Sequence, residues 1–211
     1  MDLDQIEKLF AHRLTTWWRT YLTVGILVGL RPGELTGLTW DDIDFDAGVI
    51  RVRHCLKAVK GADGRRVLQL EELKTETSRR TLVMPGQAAE ALKALHAVQA
   101  ADKLRLGRYY TDRGIVFCGN AGQPRWRQDV QRGFKKTCKA AGIGADWHPH
   151  ETRHSFTSVL SDAGVSIEDI ADGLGHKDST VTQQVYRHQI ADKVSRTATA
   201  MDRIFGKASG S

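Results

Sequence analysis

Five separated segments of this 211-residue chain carry side chains that together could break a phosphodiester bond. Such a reaction needs a nucleophile held in line, cations around the non-bridging oxygens and an acid for the departing oxygen. Gly29-Leu30-Arg31-Pro32-Gly33-Glu34-Leu35 offers Arg31, and Leu73-Lys74-Thr75-Glu76-Thr77-Ser78-Arg79-Arg80 offers Lys74. His148-Pro149-His150-Glu151-Thr152-Arg153-His154-Ser155-Phe156 offers His150 and Arg153. Leu174-Gly175-His176-Lys177 offers His176, and ten residues further on Val185-Tyr186-Arg187-His188 offers a phenol. Arginine grips a phosphate with a two-toothed fork, while histidine donates or carries a proton. A phenol with an ordinary pKa near 10 is a poor nucleophile, so it needs neighbouring cations or a base to favour phenolate.

Local structure must aim these groups. Pro32 confines Arg31 to an extended conformation and suits a first helical turn, which puts Arg31 just outside a helix start and Glu34 inside it. A phosphate could dock at that positive helix end. Lys74 falls in a polar turn read as a hairpin between two strands. Pro149 marks another helix start, with His150 and Arg153 on one face and Phe156, Val159, Leu160 and Ala163 forming an apolar stripe for the core. Gly175 should stop the preceding helix and leave His176 on the connection to the next. Taken singly, each has a plainer reading: a surface ion pair of Arg31 with Glu34, a solvated lysine, structural histidines, a core or rim tyrosine.

In their order, Gly-Leu-Arg-x-x-Glu-Leu, Lys-Thr followed by Ser-Arg-Arg, His-x-x-Arg-His-Ser-Phe, Leu-Gly-His and a tyrosine soon after, these motifs resemble the tyrosine site-specific recombinases of the phage integrase family. The resemblance covers essentially residues 1–188. It implies that Arg31 and Arg153 clamp the scissile phosphate, that Lys74 protonates the leaving 5′ oxygen and that His150 acts as acid or base. It further implies that His176 hydrogen-bonds the phosphate and that Tyr186 attacks to form a 3′-phosphotyrosine. Glu34 is read as orienting the first helix and Arg31. The resemblance implies no metal and no cofactor, double-stranded DNA as partner, a homotetramer on DNA with a monomer when free, and a cytoplasmic protein encoded by a prokaryote, phage or mobile element. It also implies that residues 1–205 form one catalytic domain, with the family's N-terminal core-binding domain absent and DNA binding weak and poorly selective in consequence. The ten-residue histidine-to-tyrosine interval, where many relatives use nine, resembles a subgroup of actinobacterial phage and plasmid integrases. Tyr109 and Tyr110 lie in a polar loop without flanking family residues and are poor rivals to Tyr186.

The elements that must carry these motifs are mainly helical. Leu3, Ile6, Leu9 and Phe10 recur with helical spacing, and a second apolar stretch runs from Trp17 to Leu30. From Gly48 the pattern alternates through Val49 to Arg53, Val67 to Leu70 and Thr81 to Val83, with a turn at Gly61-Ala62-Asp63-Gly64; this predicts a three-stranded antiparallel sheet. Helical spacing returns at Ala88, Leu92, Leu95 and Val98. After the short apolar piece Ile115-Val116-Phe117 it returns from Trp126 to Ala141 and then in four further segments: His150 to Ala163, Ser166 to Gly173, Ser179 to Tyr186 and Ala191 to Phe205. The fold class is therefore α+β, a mainly helical domain with a small sheet. On the last segment Val194, Ala198, Met201 and Phe205 share one face, which could cover this chain or a neighbouring protomer. Residues 206–211 read as a disordered tail.

Composition bounds the alternatives. Lys and Arg outnumber Asp and Glu by 31 to 25, a formal charge of +6, and 41% of residues are hydrophobic. The excess suits a polyanionic partner, and the apolar content can fill a core. Cys55, Cys118 and Cys138 are odd in number, widely spaced and without a Cys-x-x-Cys pair, which argues against a disulfide framework or a thiolate zinc site. No apolar run approaches a membrane span and no signal core is present. His150-Glu151-Thr152-Arg153-His154 also fits the zinc-protease pattern His-Glu-x-x-His, though no third ligand follows at a persuasive spacing. Ser166 to His176 followed by Ser179-Thr180-Val181-Thr182 mimics a helix-turn-helix of a non-catalytic DNA-binding module, but Glu168, Asp169 and Asp172 make a poor approach to DNA. A type IB topoisomerase shares the phosphotyrosine chemistry, and the Leu-Gly-His step and the turn lysine favour a recombinase over it.

Overall fold

The computed structural model describes residues 1–73, 79–174 and 187–206, the side chains of 167, 168, 172 and 187–196 excepted. Eight α-helices are described: α1 (Leu3–Ala11), α2 (Thr16–Leu27), α3 (Pro32–Gly37), α4 (Gly86–Leu106), α5 (Arg127–Ala140), α6 (Glu151–Asp162), α7 (Ile167–Gly173) and α8 (Arg187–Gly206). Five strands lie between α3 and α4: β1 (Ile43–Asp44), β2 (Val49–Val52), β3 (His54–Lys60), β4 (Arg66–Glu72) and β5 (Arg80–Val83).

Helix starts follow the local chemistry. Asp2 and Gln5 cap α1 reciprocally, at 2.9 and 3.1 Å, and the Thr15 hydroxyl accepts from the Trp18 amide at the start of α2. Residues 20–27 of α2 are all buried, because a helix that is apolar around its whole circumference stabilises the fold only at the centre of the body. Two cores meet on it. One gathers Tyr21, Val24, Leu35, Ile50, Leu82, Leu92 and Phe117 between α2, α3, the sheet and α4. The other gathers Ile6, Leu22, Ile26, Phe134, Phe156 and Met201 between α1, α2, α5, α6 and α8. Each such side chain contributes on the order of 1.5–3 kcal/mol through burial.

The small antiparallel sheet is present, but its strands are joined differently from the expectation. β2 pairs with β1 on one side and with β5 on the other, while β3 and β4 form a two-stranded ribbon. β2 and β3 are nearly continuous, and both returning strands oppose them: His54 faces Glu72, the Leu73 amide donates to the Arg53 carbonyl, and Val52 faces Arg80. Among the described residues β4 and β5 are not paired with each other. One long hairpin turns at residues 61–65, and adjacent positions of its outgoing strand, 52 and 53, oppose positions seven apart on the return, 80 and 73. The hairpin expected at Lys74 lies outside the described residues.

A further difference has a physical cause. Val98 is 43% exposed, and Gln99 takes the inward position on α4. Its amide donates to the Val116 carbonyl (2.6 Å) and accepts from Trp40 Nε1 (2.9 Å), so two buried polar groups that need partners outweigh one apolar side chain. The short apolar piece Ile115 to Phe117 is buried and tied to the 38–39 segment. Helices α4, α5, α6 and α7 stand close to their expected positions. The predicted helix from Ser179 to Tyr186 lies outside the described residues.

The end of α8 covers this chain itself. Met201 is fully buried in the second core, Ala198 is nearly so, and the Asp202 carboxylate accepts from the Gly86 amide at the start of α4 (3.0 Å). Gly206 closes α8 rather than opening a tail, and 207–211 lie outside the described residues. Cys118 and Cys138 are buried, Cys55 is half-buried, and all three are free thiols.

Candidate active site

Arg31 is the cap residue of α3, extended at φ −67° and ψ 149°, with Pro32 in the first turn as the sequence requires. Glu34 reaches back to it: Oε2 accepts from the Arg31 amide (2.8 Å) and Oε1 from Arg31 Nη1 (2.9 Å). The helix is seated on the ribbon by Gly37, where a Cβ would stand 2.5 Å from the Cys55 Cα. That close backbone approach admits only glycine.

Arg153 arrives from α6. Its Nη1 donates to the Gly29 carbonyl (2.6 Å), 124 residues away in sequence, and its Nη2 donates to the Leu174 carbonyl (3.2 Å). Gly29 has φ +70°, and a Cβ there would meet Leu174 and Phe156 at 2.9 Å. The glycine thus permits both the left-handed turn that leads to Arg31 and the packing of α6 beneath it. Burial, then the charges of Arg31 and Arg80, bring the Arg153 pKa down to about 10, with Glu34 acting in the opposite sense. The group stays protonated at neutral pH, so among the described residues positive charge is concentrated here beyond what Glu34 offsets.

Arg80 is the residue that sequence reasoning quoted without assigning it a role. At the start of β5 it places Nη1 2.9 Å from Glu34 Oε1 and Nη2 2.8 Å from Glu34 Oε2, a bidentate pair in which the two side chains are 9% and 5% exposed. Burial alone would raise the Glu34 pKa and is the largest single influence; the hydrogen bonds and charge of Arg80, with the amide and guanidinium of Arg31, outweigh it and hold the group at about 2. The sequence held a usable signal, because strand alternation puts Arg80 on the face of buried Leu82 and Arg79 on the other. Arg79 indeed faces outward and pairs with Glu72.

His150 stands at the cap of α6, on the exposed side of this cluster. Its pKa is lowered by burial first and then by the Arg127 charge, so the ring is neutral at pH 7. Beside it opens a cleft of about 260 Å³ whose lining includes Tyr21, Pro32, Gly33, Arg127, His148 and His150. Tyr21 is fully buried and its hydroxyl makes no hydrogen bond among the described residues; burial drives its pKa up, so it stays protonated. The structure thus brings together Arg31, His150 and Arg153 of the six predicted site residues. Lys74, His176 and Tyr186 lie outside the described residues.

Among the described residues no three His, Cys, Asp or Glu side chains gather as a metal site; the side chains of Glu168 and Asp172, the acidic candidates for a third zinc ligand, lie outside them. Among the described residues, too, no helix is long and apolar enough to cross a membrane.

The mainly helical α+β body is similar in fold to a solved transposon integrase and a solved recombinase. The Tn1549 transposon integrase, solved with transposon right end DNA, superposes with a TM-score of 0.69 over 98% of this chain and 65% of that one, at 20% identity. XerA recombinase superposes at 0.64 over the whole of this chain and 65% of that one, at 21% identity; at such identities the likeness is one of fold. In sequence, an integrase of Streptomyces ambofaciens is 37% identical over 97% of this chain, and a XerC-like tyrosine recombinase of Caldanaerobacter subterraneus is 29% identical over 94%. Residues 1–193 match the phage integrase family, and the chain belongs to that family. It spans about half the length of these curated relatives, 53% and 51%.

Proposed function

We propose that this chain is the catalytic part of an enzyme that cuts and rejoins double-stranded DNA in site-specific recombination, through a 3′-phosphotyrosine on Tyr186. The observation that carries the reading is the convergence of Arg31 and Arg153, each backed by a fixed partner, at one exposed edge of the body. A phosphodiester presented there receives two cationic forks that strengthen as charge develops on its non-bridging oxygens, which lowers the barrier to in-line attack. His150, neutral and at the rim, accepts or relays a proton. Lys74 supplies the proton to the leaving 5′ oxygen, His176 hydrogen-bonds the phosphate, and the Tyr186 phenolate attacks phosphorus. One phosphate ester bond forms as another breaks, so a 5′-hydroxyl from a second strand reverses the step with no external energy source.

The substrate is duplex DNA, which the resemblance and the excess of basic residues both support. The working assembly is a tetramer on DNA, formed from monomers in a prokaryotic or phage-infected cytoplasm. Residues 1–205 act as one domain.

The test is direct. The chain is incubated with a pool of nicked duplexes randomised in sequence, in which the cleaved fragment diffuses away and strands the covalent adduct. Mass spectrometry then locates the DNA-linked peptide. We expect the adduct on the peptide holding Tyr186 and none from Tyr186→Phe. An adduct that persists in that variant, or a folded wild-type chain that forms none on any duplex of the pool, overturns the reading.

A further inference from the structure

Glu34 is a buried carboxylate with two arginine partners that differ in kind. Arg31 gives it one guanidinium nitrogen and the backbone amide, and its side chain remains 44% exposed. Arg80 gives it both guanidinium nitrogens of its fork and is itself nearly buried. The charge balance is then simple. Arg31 and Glu34 alone make a neutral pair, in which the carboxylate competes with any phosphate for the Arg31 guanidinium. With Arg80 added, the trio carries one net positive charge, and the exposed member of the trio is Arg31. Because Glu34 is only 5% exposed, water screens its charge poorly, and left unneutralised beside Arg31 it would weaken the attraction of that guanidinium for an anion.

We propose that Arg80 is a positioning residue for the cleavage reaction: by occupying and neutralising Glu34, it holds Arg31 in place while leaving the charge of Arg31 available to the scissile phosphate. Arg80 itself does not touch the DNA. The assignment rests on the reading of Arg31 as a phosphate ligand, and it adds a residue to which that reading gives no task.

The experiment uses the full chain and the duplex recovered from the randomised pool, and it follows single-turnover adduct formation beside a thermal melt. Arg80→Gln should slow adduct formation roughly tenfold or more at a pH of about 8, because Glu34 then turns wholly on Arg31. The defect should shrink as pH is lowered to about 6, since burial without the Arg80 fork lets Glu34 take up a proton. Arg80→Gln combined with Glu34→Gln removes both buried charges at nearly constant volume, leaves the carbonyl of residue 34 to accept from the Arg31 amide, and should recover most of the rate without the pH trend. Arg80→Lys, which keeps the charge, should stay within several-fold of wild type.

A purely structural role for Arg80 would lower the melting temperature without producing that pH trend. The proposal is overturned if folded Arg80→Gln cleaves within about twofold of wild type at both pH values. It is equally overturned if the folded double variant is as slow as Arg80→Gln, or, where Arg80→Gln alone does not fold, if the folded double variant cleaves roughly tenfold or more below wild type. Loss of the adduct in Tyr186→Phe together with normal cleavage by Arg80→Gln would retire this inference and leave the recombinase reading standing.

Discussion

Glu34 shows how one side chain can be legible in sequence and still be half understood. Its place in the first turn of α3 and its service to Arg31 follow from Pro32 and the three-residue spacing. Its second partner, 46 residues later, follows from nothing local. The pair has a consequence for acid stability. Held at about 2 against an ordinary 4.5, Glu34 binds its proton more weakly in the folded chain than in the unfolded one. Its contribution is therefore fully present at neutral pH and is lost as pH falls from about 4.5 towards 2, a contribution of roughly 3 kcal/mol for a group this buried. Chemical denaturation across that range should show a steep loss for the wild type and a flatter profile for Glu34→Gln combined with Arg80→Gln. Equal slopes would mean that the carboxylate is not held down in this way.

At the scale of elements, the junction of α2, α3 and α6 does most to form the site. Gly29 ends the central helix in a left-handed turn, starts the approach to Arg31 and gives its carbonyl to Arg153. A methyl group there meets Phe156 and Leu174 at 2.9 Å in addition to an unfavourable φ. Gly29→Ala should cost about 2–4 kcal/mol of stability, from the left-handed conformation together with overpacking. Its adduct formation should fall even at temperatures where the variant remains folded, because the Arg153 anchor is displaced. Calorimetry and the suicide-substrate assay read the two effects separately; a variant with unchanged melting temperature would contradict this account of the junction. The returning strand of the long hairpin makes a related point. Alternation in the sequence located its strands, but only the register showed that Arg53 and Val52 oppose Leu73 and Arg80, so that β5 pairs with β2 and not with β4 among the described residues.

For the whole molecule, an excess of six positive charges acts at long range. If the chain binds duplex DNA through phosphates, affinity should fall linearly on a log–log plot against salt, with a slope near −0.9 for each phosphate neutralised. Fluorescence anisotropy on a duplex of mixed sequence checks this. A salt-independent affinity would argue against a backbone-dominated interface. The same scale settles where the last helix lies: its apolar stripe does not reveal whose surface it covers, and the burial of Met201 with the Asp202 contact to α4 places the end of α8 on its own body.

The sequence by itself determined the helical majority, the small sheet, the family, and the identity and order of the groups fit for phosphate chemistry. These depend on spacing along the chain, on proline and glycine at helix ends, and on motif order, all of which are local or linear properties. Tertiary structure alone decided that Arg153 anchors on Gly29 and Leu174, that Gln99 displaces Val98 from the core, and that Arg80 shares Glu34 with Arg31. Each of these is a contact between residues far apart in the chain, chosen because a buried polar group must find a partner wherever the fold brings one within reach.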